Sequence, residues 1–172
     1  MNGLILTQIL IDGLIISVVV SAIILGAMLL NPRIMLSDYP PEIQAHVPPM
    51  TKPEKQQQAV LGVFFIGANL IGLFYSNWQL VGRSGEVAFL PLFLNTYFVF
   101  VFCNLWDLLV LDYFVLIVLK PKALFVDDIE QYAHYNNFTY HFKGFLKGLI
   151  IGLVLSLIVS LVSTLIFPLL LG

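Results

Sequence analysis

The sequence predicts an all-α, polytopic membrane protein, a single bundle of four transmembrane helices with short interfacial helices in its loops. Three observations lead there. Of 172 residues, 59% are apolar and 10% are charged, far below the roughly one quarter charged residues of a soluble domain. The mean hydropathy is +0.95. Four apolar stretches, residues 4–30, 59–81, 87–119 and 138–171, each reach the ~20 residues that a spanning helix needs. The same counts exclude a soluble globular domain and a disordered chain. With eight Lys and Arg against ten Asp and Glu, net charge −2, there is no basic surface for nucleic acid. The whole of 1–172 reads as one transmembrane domain, because no loop is large enough to fold alone.

The first span has no positive n-region, and its apolar run exceeds a signal-peptide core, so it reads as a retained helix. It carries Gln8 and Asp12, four residues apart on one face toward the outer end. Gly13, Ser17 and Ser21 form a short row of small residues on it.

The first loop, residues 31–58, holds six prolines. Asp38, ahead of Pro40-Pro41-Glu42, is expected to open one short helix that Pro48 stops. Thr51-Lys52-Pro53-Glu54 has capping-box spacing and opens the helix of the second span. That span holds Asn69 near its middle, and Trp78 near its outer end suits an aromatic belt. The third span is longer than a bilayer requires, so it must tilt, kink or project. Pro91 and Asn95 place its start at an interface. Asn104, Asp107 and Asp112 fall within an arc of about 140° at 100° per residue and can face inward together. Cys103, the single cysteine, reads as a small packing residue.

In the third loop, Asp127-Asp128-Ile129-Glu130 has capping-box spacing, which predicts a short helix laying Ile129, Tyr132 and Ala133 on the membrane. Asn137-Phe138-Thr139 matches a glycosylation sequon, read as a chance match. The fourth span opens with His141, Lys143 and Lys147, then carries Gly144, Gly148, Gly152, Ser156 and Ser160 at every fourth position. Such a row lets backbones approach closely. The row is expected to pack against the antiparallel first span or, alternatively, to form a homodimer seam.

Seven of the eight cations lie in or beside the first and third loops, and only Arg83 lies in the second. The positive-inside rule then puts those loops in the cytoplasm and both termini outside. Depth matching along the last hairpin suggests an Asp112–Lys147 or Asp107–Lys147 ion pair and an Asn69–Asn104 hydrogen bond. The histidines His46, His134 and His141 show no HExxH or HxxxH spacing, so no metal site is expected. No nucleophile elbow, Walker loop or other catalytic signature is present, and no cofactor is expected. Asp107 and Asp112 lie too far apart around one helix for an aspartyl dyad.

Three segments, Asp38-Tyr39-Pro40-Pro41-Glu42-Ile43-Gln44, residues 104–112 and residues 141–148, resemble, in the same order, motifs of an uncharacterised family of small bacterial four-helix integral membrane proteins. The resemblance covers about 24 of 172 residues and implies a bacterial inner-membrane setting. It carries no activity or ligand. All three segments map to the cytoplasmic half, where a site is expected.

Three functions follow as expectations. The first is a non-catalytic subunit, assembly or scaffold protein, held by small-residue packing and the polar cluster Asn69, Asn104, Asp107, Asp112, His141, Lys143 and Lys147. Its partners would be the lipid bilayer and another membrane protein or a second copy. The second is a small oligomeric proton- or ion-coupled transporter using Asp107 or Asp112. The third is a lipid-modifying enzyme at the cytoplasmic face.

Overall fold

In the computed structural model the described residues are 2–126 and 137–171, with side chains from residue 6 onward. They hold helices and no strand. Four helices are long and apolar enough to cross a membrane.

Helix α1 runs over Asn2–Leu30. Pro32 ends it, because proline supplies no N–H to continue the ladder. A 3₁₀ turn over Pro32–Asp38 follows, capped by the Asn31 side chain accepting from the Arg33 N–H at 3.1 Å. Helix α2 is a single turn, Pro41–Gln44. The expected helix start at Asp38 is therefore displaced. Asp38 closes the 3₁₀ turn, and α2 starts at Pro41, because residues ahead of proline are held extended. The fully buried Ile43 of α2 packs with Met28, Leu124 and Phe125, so both loops close over the end of α1.

Helix α3 spans Lys52–Ser84, with both halves of the Thr51/Glu54 capping box formed. It starts two turns ahead of the apolar stretch. Gly85 ends it in the left-handed region at φ 67°, donating its N–H to the Val81 carbonyl at 2.8 Å. Helix α4 covers Phe89–Trp106, and Pro91 sits harmlessly in its first turn. The chain then continues as a π-helix over Asp107–Leu119. Hydrogen bonds in that segment skip five residues, so its winding is wider than 3.6 residues per turn. The 100°-per-residue arc expected for Asn104, Asp107 and Asp112 therefore does not apply beyond Asp107. Lys120, at φ 47°, stops the helix with its N–H on the Val115 carbonyl.

Helix α5 runs over Phe138–Leu171, the bounds expected of the fourth span. Its start explains the sequon: Asn137 Oδ1 accepts from the Tyr140 N–H at 3.3 Å, so the asparagine caps the helix. The helix expected at Asp127 to Ala133, with Asp128, Glu130 and His134, lies outside the described residues.

The four long helices pack with α4 between α1 and α5; α3 touches α1, α4 and α5. The small-residue rows are used, but not against each other as expected. A Cβ on Gly148 would collide with the Asn104 side chain, and one on Gly152 with the Phe100 ring, so the α5 row packs on α4. Ser156 and Ser160 are fully buried, whereas Gly144 faces open space. The α1 row also meets α4. Gly13 lies against Phe102, and Ser21 accepts from Trp106 Nε1 at 3.1 Å. Ser17, 3% exposed, lies between them in sequence. The phenyl and indole rings of α4 supply knobs that only small residues accommodate on both sides, so α4 separates the two rows.

Candidate functional site

The polar side chains divide into two groups at opposite ends of the long helices. The first is a closed layer across all four. On α3, α4 and α5 it lies between Leu73, Val99 and Val159 on one side and Val81, Leu92 and Phe167 on the other, and on α1 Ile9 and Ile16 flank Asp12. It begins at the Asp12 carboxylate, 5% exposed. Gln8 Nε2 donates to one carboxylate oxygen, and Ser76 Oγ donates to the other at 2.7 Å. Asn95 Nδ2 donates to Ser76 Oγ at 2.9 Å and to Asn77 Oδ1 at 3.1 Å. Thr96 Oγ1 donates to the same Asn77 oxygen at 3.1 Å and accepts from Ser160 Oγ at 3.3 Å. Asn77 Nδ2 reaches Ser163 Oγ at 3.2 Å.

The Gln8–Asp12 pair is thus the α1 end of a hydrogen-bonded chain that reaches α3, α4 and α5. Sequence reasoning missed Ser76, Asn77, Thr96 and Ser163, and Asn95, expected at an interface, is buried at 4% exposure. A signal was available. Ser76-Asn77 and Asn95-Thr96 lie at similar distances either side of the Gly85 turn, so the hairpin brings them level.

The second group lies at the end closed by the first and third loops. His141 Nδ1 and Asp112 Oδ1 stand 3.0 Å apart. Asp107, one turn earlier, feels the charges of Asp112, His141 and Asp38. Asp107 is exposed and lies by the crevice where the π-helical segment, the start of α5 and the first loop meet, within reach of the His141–Asp112 contact. Among the described residues its side chain makes no ion pair or hydrogen bond. Asp38, from the 3₁₀ turn, adds a third carboxylate whose charge reaches Asp107 and Asp112. Sequence reasoning named it only as a helix start, because its approach depends on how the first loop folds back.

Electrostatics at the crevice mouth follow from crowding. Asp38 keeps an exposed side, yet its carboxyl is raised above the ordinary aspartate value, by desolvation first and the Asp112 charge second. Burial pushes the Tyr39 phenol up to about 12, with the Val126 N–H opposing and the Asp38 charge adding. Tyr140 Oη donates to the Tyr39 carbonyl at 3.3 Å, tying α5 to the loop.

The remaining residues of the expected cluster are dispersed. Asn69 donates to the Phe65 carbonyl of its own helix at 2.8 Å, and Asn104 donates to the Phe145 carbonyl at 3.0 Å; they do not share a hydrogen bond. Lys143 and Lys147 are exposed. The expected Asp112–Lys147 pair is replaced by Asp112–His141. Lys147 lies on a face of α5 turned about 100° from Gly148, which packs on α4. Cys103 Sγ approaches the Gly13 carbonyl at 3.6 Å, a packing contact. Among the described residues no group of three or more His, Cys, Asp or Glu side chains is placed to hold a metal ion.

Comparisons with protein-family models, with curated proteins and with solved structures found no match.

Proposed function

We propose that this chain is a non-catalytic membrane subunit or assembly protein whose loop-side crevice receives a cationic group of a partner membrane protein. The observation that carries the reading is Asp107. Its accessible carboxylate has no ion-pair partner among the described residues, and Asp38 and Asp112 add negative charge beside it. A carboxylate at membrane depth is stable when it pairs with a cation, and the nearby imidazole of His141 is already engaged by Asp112. The layer around Asp12 supports docking over conduction. It fills the opposite half with mutually hydrogen-bonded side chains, so the crevice is served from one side.

In this reading the four helices form a transmembrane bundle in a bacterial inner membrane, with the crevice and loops cytoplasmic and both termini outside. The test is zero-length carbodiimide coupling, which joins a carboxylate to a lysine amine in contact with it, applied to the chain extracted from its native membrane. The expected result is a stoichiometric crosslink to a lysine of a partner segment, lost in Asp107→Asn. A monomer or homo-oligomer with no such crosslink overturns the reading.

The same carboxylates carry a second reading, a small proton- or ion-coupled carrier. It requires pH-driven flux in proteoliposomes that disappears in Asp107→Asn.

A further inference from the structure

A groove of about 660 Å³ lies between the last two turns of α1 and the first three turns of α3, far from the crevice carboxylates in sequence. That volume falls within the roughly 300–1,000 Å³ of small-molecule sites. Its walls are Ile23 and Ala27 on α1, and Val60 and Phe64 on α3. Its mouth is polar: Asn31, Gln56 and Gln57. Asn31 Nδ2 donates to Gln57 Oε1 at 2.9 Å, which sets the two helices level at the mouth. From there the groove runs eight residues back to Ile23 and eight forward from Gln56 to Phe64, or about 12 Å on each wall. The carboxamides cluster at one end, where Leu30, Ile34 and Pro53 also line the groove, and the other end is hydrocarbon alone.

Charge at the mouth is also one-sided. Arg33 is bound to Glu54 at 2.6 Å and to the Pro48 carbonyl at 2.9 Å. Lys52 is exposed and sits one turn before Gln56, on the same side of α3. Its ammonium and that of Lys55, exposed immediately before Gln56, are the cations that can meet an anion there.

We propose that this groove is a lipid site. It holds one acyl chain of an anionic glycerophospholipid from the loop-side leaflet, with the ester oxygens at the carboxamides and the phosphate at Lys52. The chain lies along Ala27, Val60 and Phe64. The carboxamide N–H groups donate to carbonyl oxygens that hydrocarbon alone would leave unpaired. A spanning partner helix fits less well, since its surface would be apolar along the whole groove and leave the mouth unmatched. The proposal rests on the membrane reading and not on the crevice. Alkaline extraction of native membranes tests that reading separately, because an integral protein stays in the pellet.

The experiment is native mass spectrometry of the full chain after exposure to vesicles of equimolar phosphatidylglycerol and phosphatidylcholine. One retained phosphatidylglycerol per chain is expected. Val60→Trp fills the groove from a residue already 56% exposed and should reduce retention about tenfold, or ~1.4 kcal/mol. Lys52→Gln should keep the chain bound but cut the preference for phosphatidylglycerol about fivefold, the order expected of one Lys at an anionic surface. Undiminished retention by Val60→Trp overturns the site. Should that variant not fold, equal retention of the two lipids by the unaltered chain overturns the assignment by itself.

Discussion

Asp112 Oδ1 and His141 Nδ1 stand 3.0 Å apart, joining the π-helical segment to the first turn of α5. Both side chains are about one fifth exposed, so their coupling should be modest. A double-mutant cycle of Asp112→Asn and His141→Ala should give about 0.5–1.5 kcal/mol in detergent unfolding. Lys147→Ala should leave the stability unchanged within ~0.5 kcal/mol. A coupling of Asp112 to Lys147 instead would contradict this arrangement.

The closed layer makes a larger claim. Asp12→Ala strips an acceptor from Ser76 and Gln8 in a buried setting. It should cost about 1–3 kcal/mol. Asp12→Asn keeps an acceptor oxygen and should cost less. Thermal unfolding of both variants by circular dichroism ranks them, and the reverse order would count against the hydrogen-bond assignment.

Two glycines of one row should respond oppositely. A Cβ at Gly152 would collide with the Phe100 ring, while one at Gly144 meets nothing within 4 Å. Gly152→Leu should therefore destabilise by about 1–3 kcal/mol through overpacking. Gly144→Leu should be neutral or slightly stabilising through helix propensity. Equal effects in the two variants would show that the row does not pack on α4 as described.

The Asp38 carboxyl is raised above the ordinary value of 3.8 by desolvation and by Asp112. A raised acid favors the folded state at low pH and loses that contribution as pH climbs through the folded value. Asp38→Asn should thus raise thermal stability near neutral pH and change little well below pH ~4. Because Asp38 is partly exposed, the gain should stay under about 1 kcal/mol. Melting curves of the two proteins between pH 3 and 8 should converge toward the acid end. A gap of constant size across that range would contradict the assigned cause.

Several features were legible because they depend only on neighbors along the chain. The Thr51/Glu54 capping box, the stop after Leu30 before Pro32 and the bounds of α5 are of this kind. Each follows from local geometry or from the length of an apolar run. The apolar stretches also announced four helices of spanning length, although α3 begins two turns earlier because its cap is polar.

The crevice was half legible. Asp107, Asp112 and His141 stood out as ionisable groups in apolar runs, yet Lys147 was the expected partner of Asp112. The π-helix decided otherwise, since its wider winding changes where Asp112 projects. A π-helix has no simple sequence signature, because it reports a balance of packing around the helix and not a local propensity.

By itself, then, the sequence determined the helical class, the number of long apolar helices and the presence of polar groups within them, all properties of composition and periodicity. Only the tertiary structure decided which polar groups meet. The small-residue rows of α1 and α5 both face α4, and the neutral Ser76 binds Asp12 and connects it through Asn95 to Asn77 and Thr96. The reason is physical. A small residue or a neutral hydroxyl permits many partners, and the one it takes is set by bulky side chains and turn positions elsewhere in the chain.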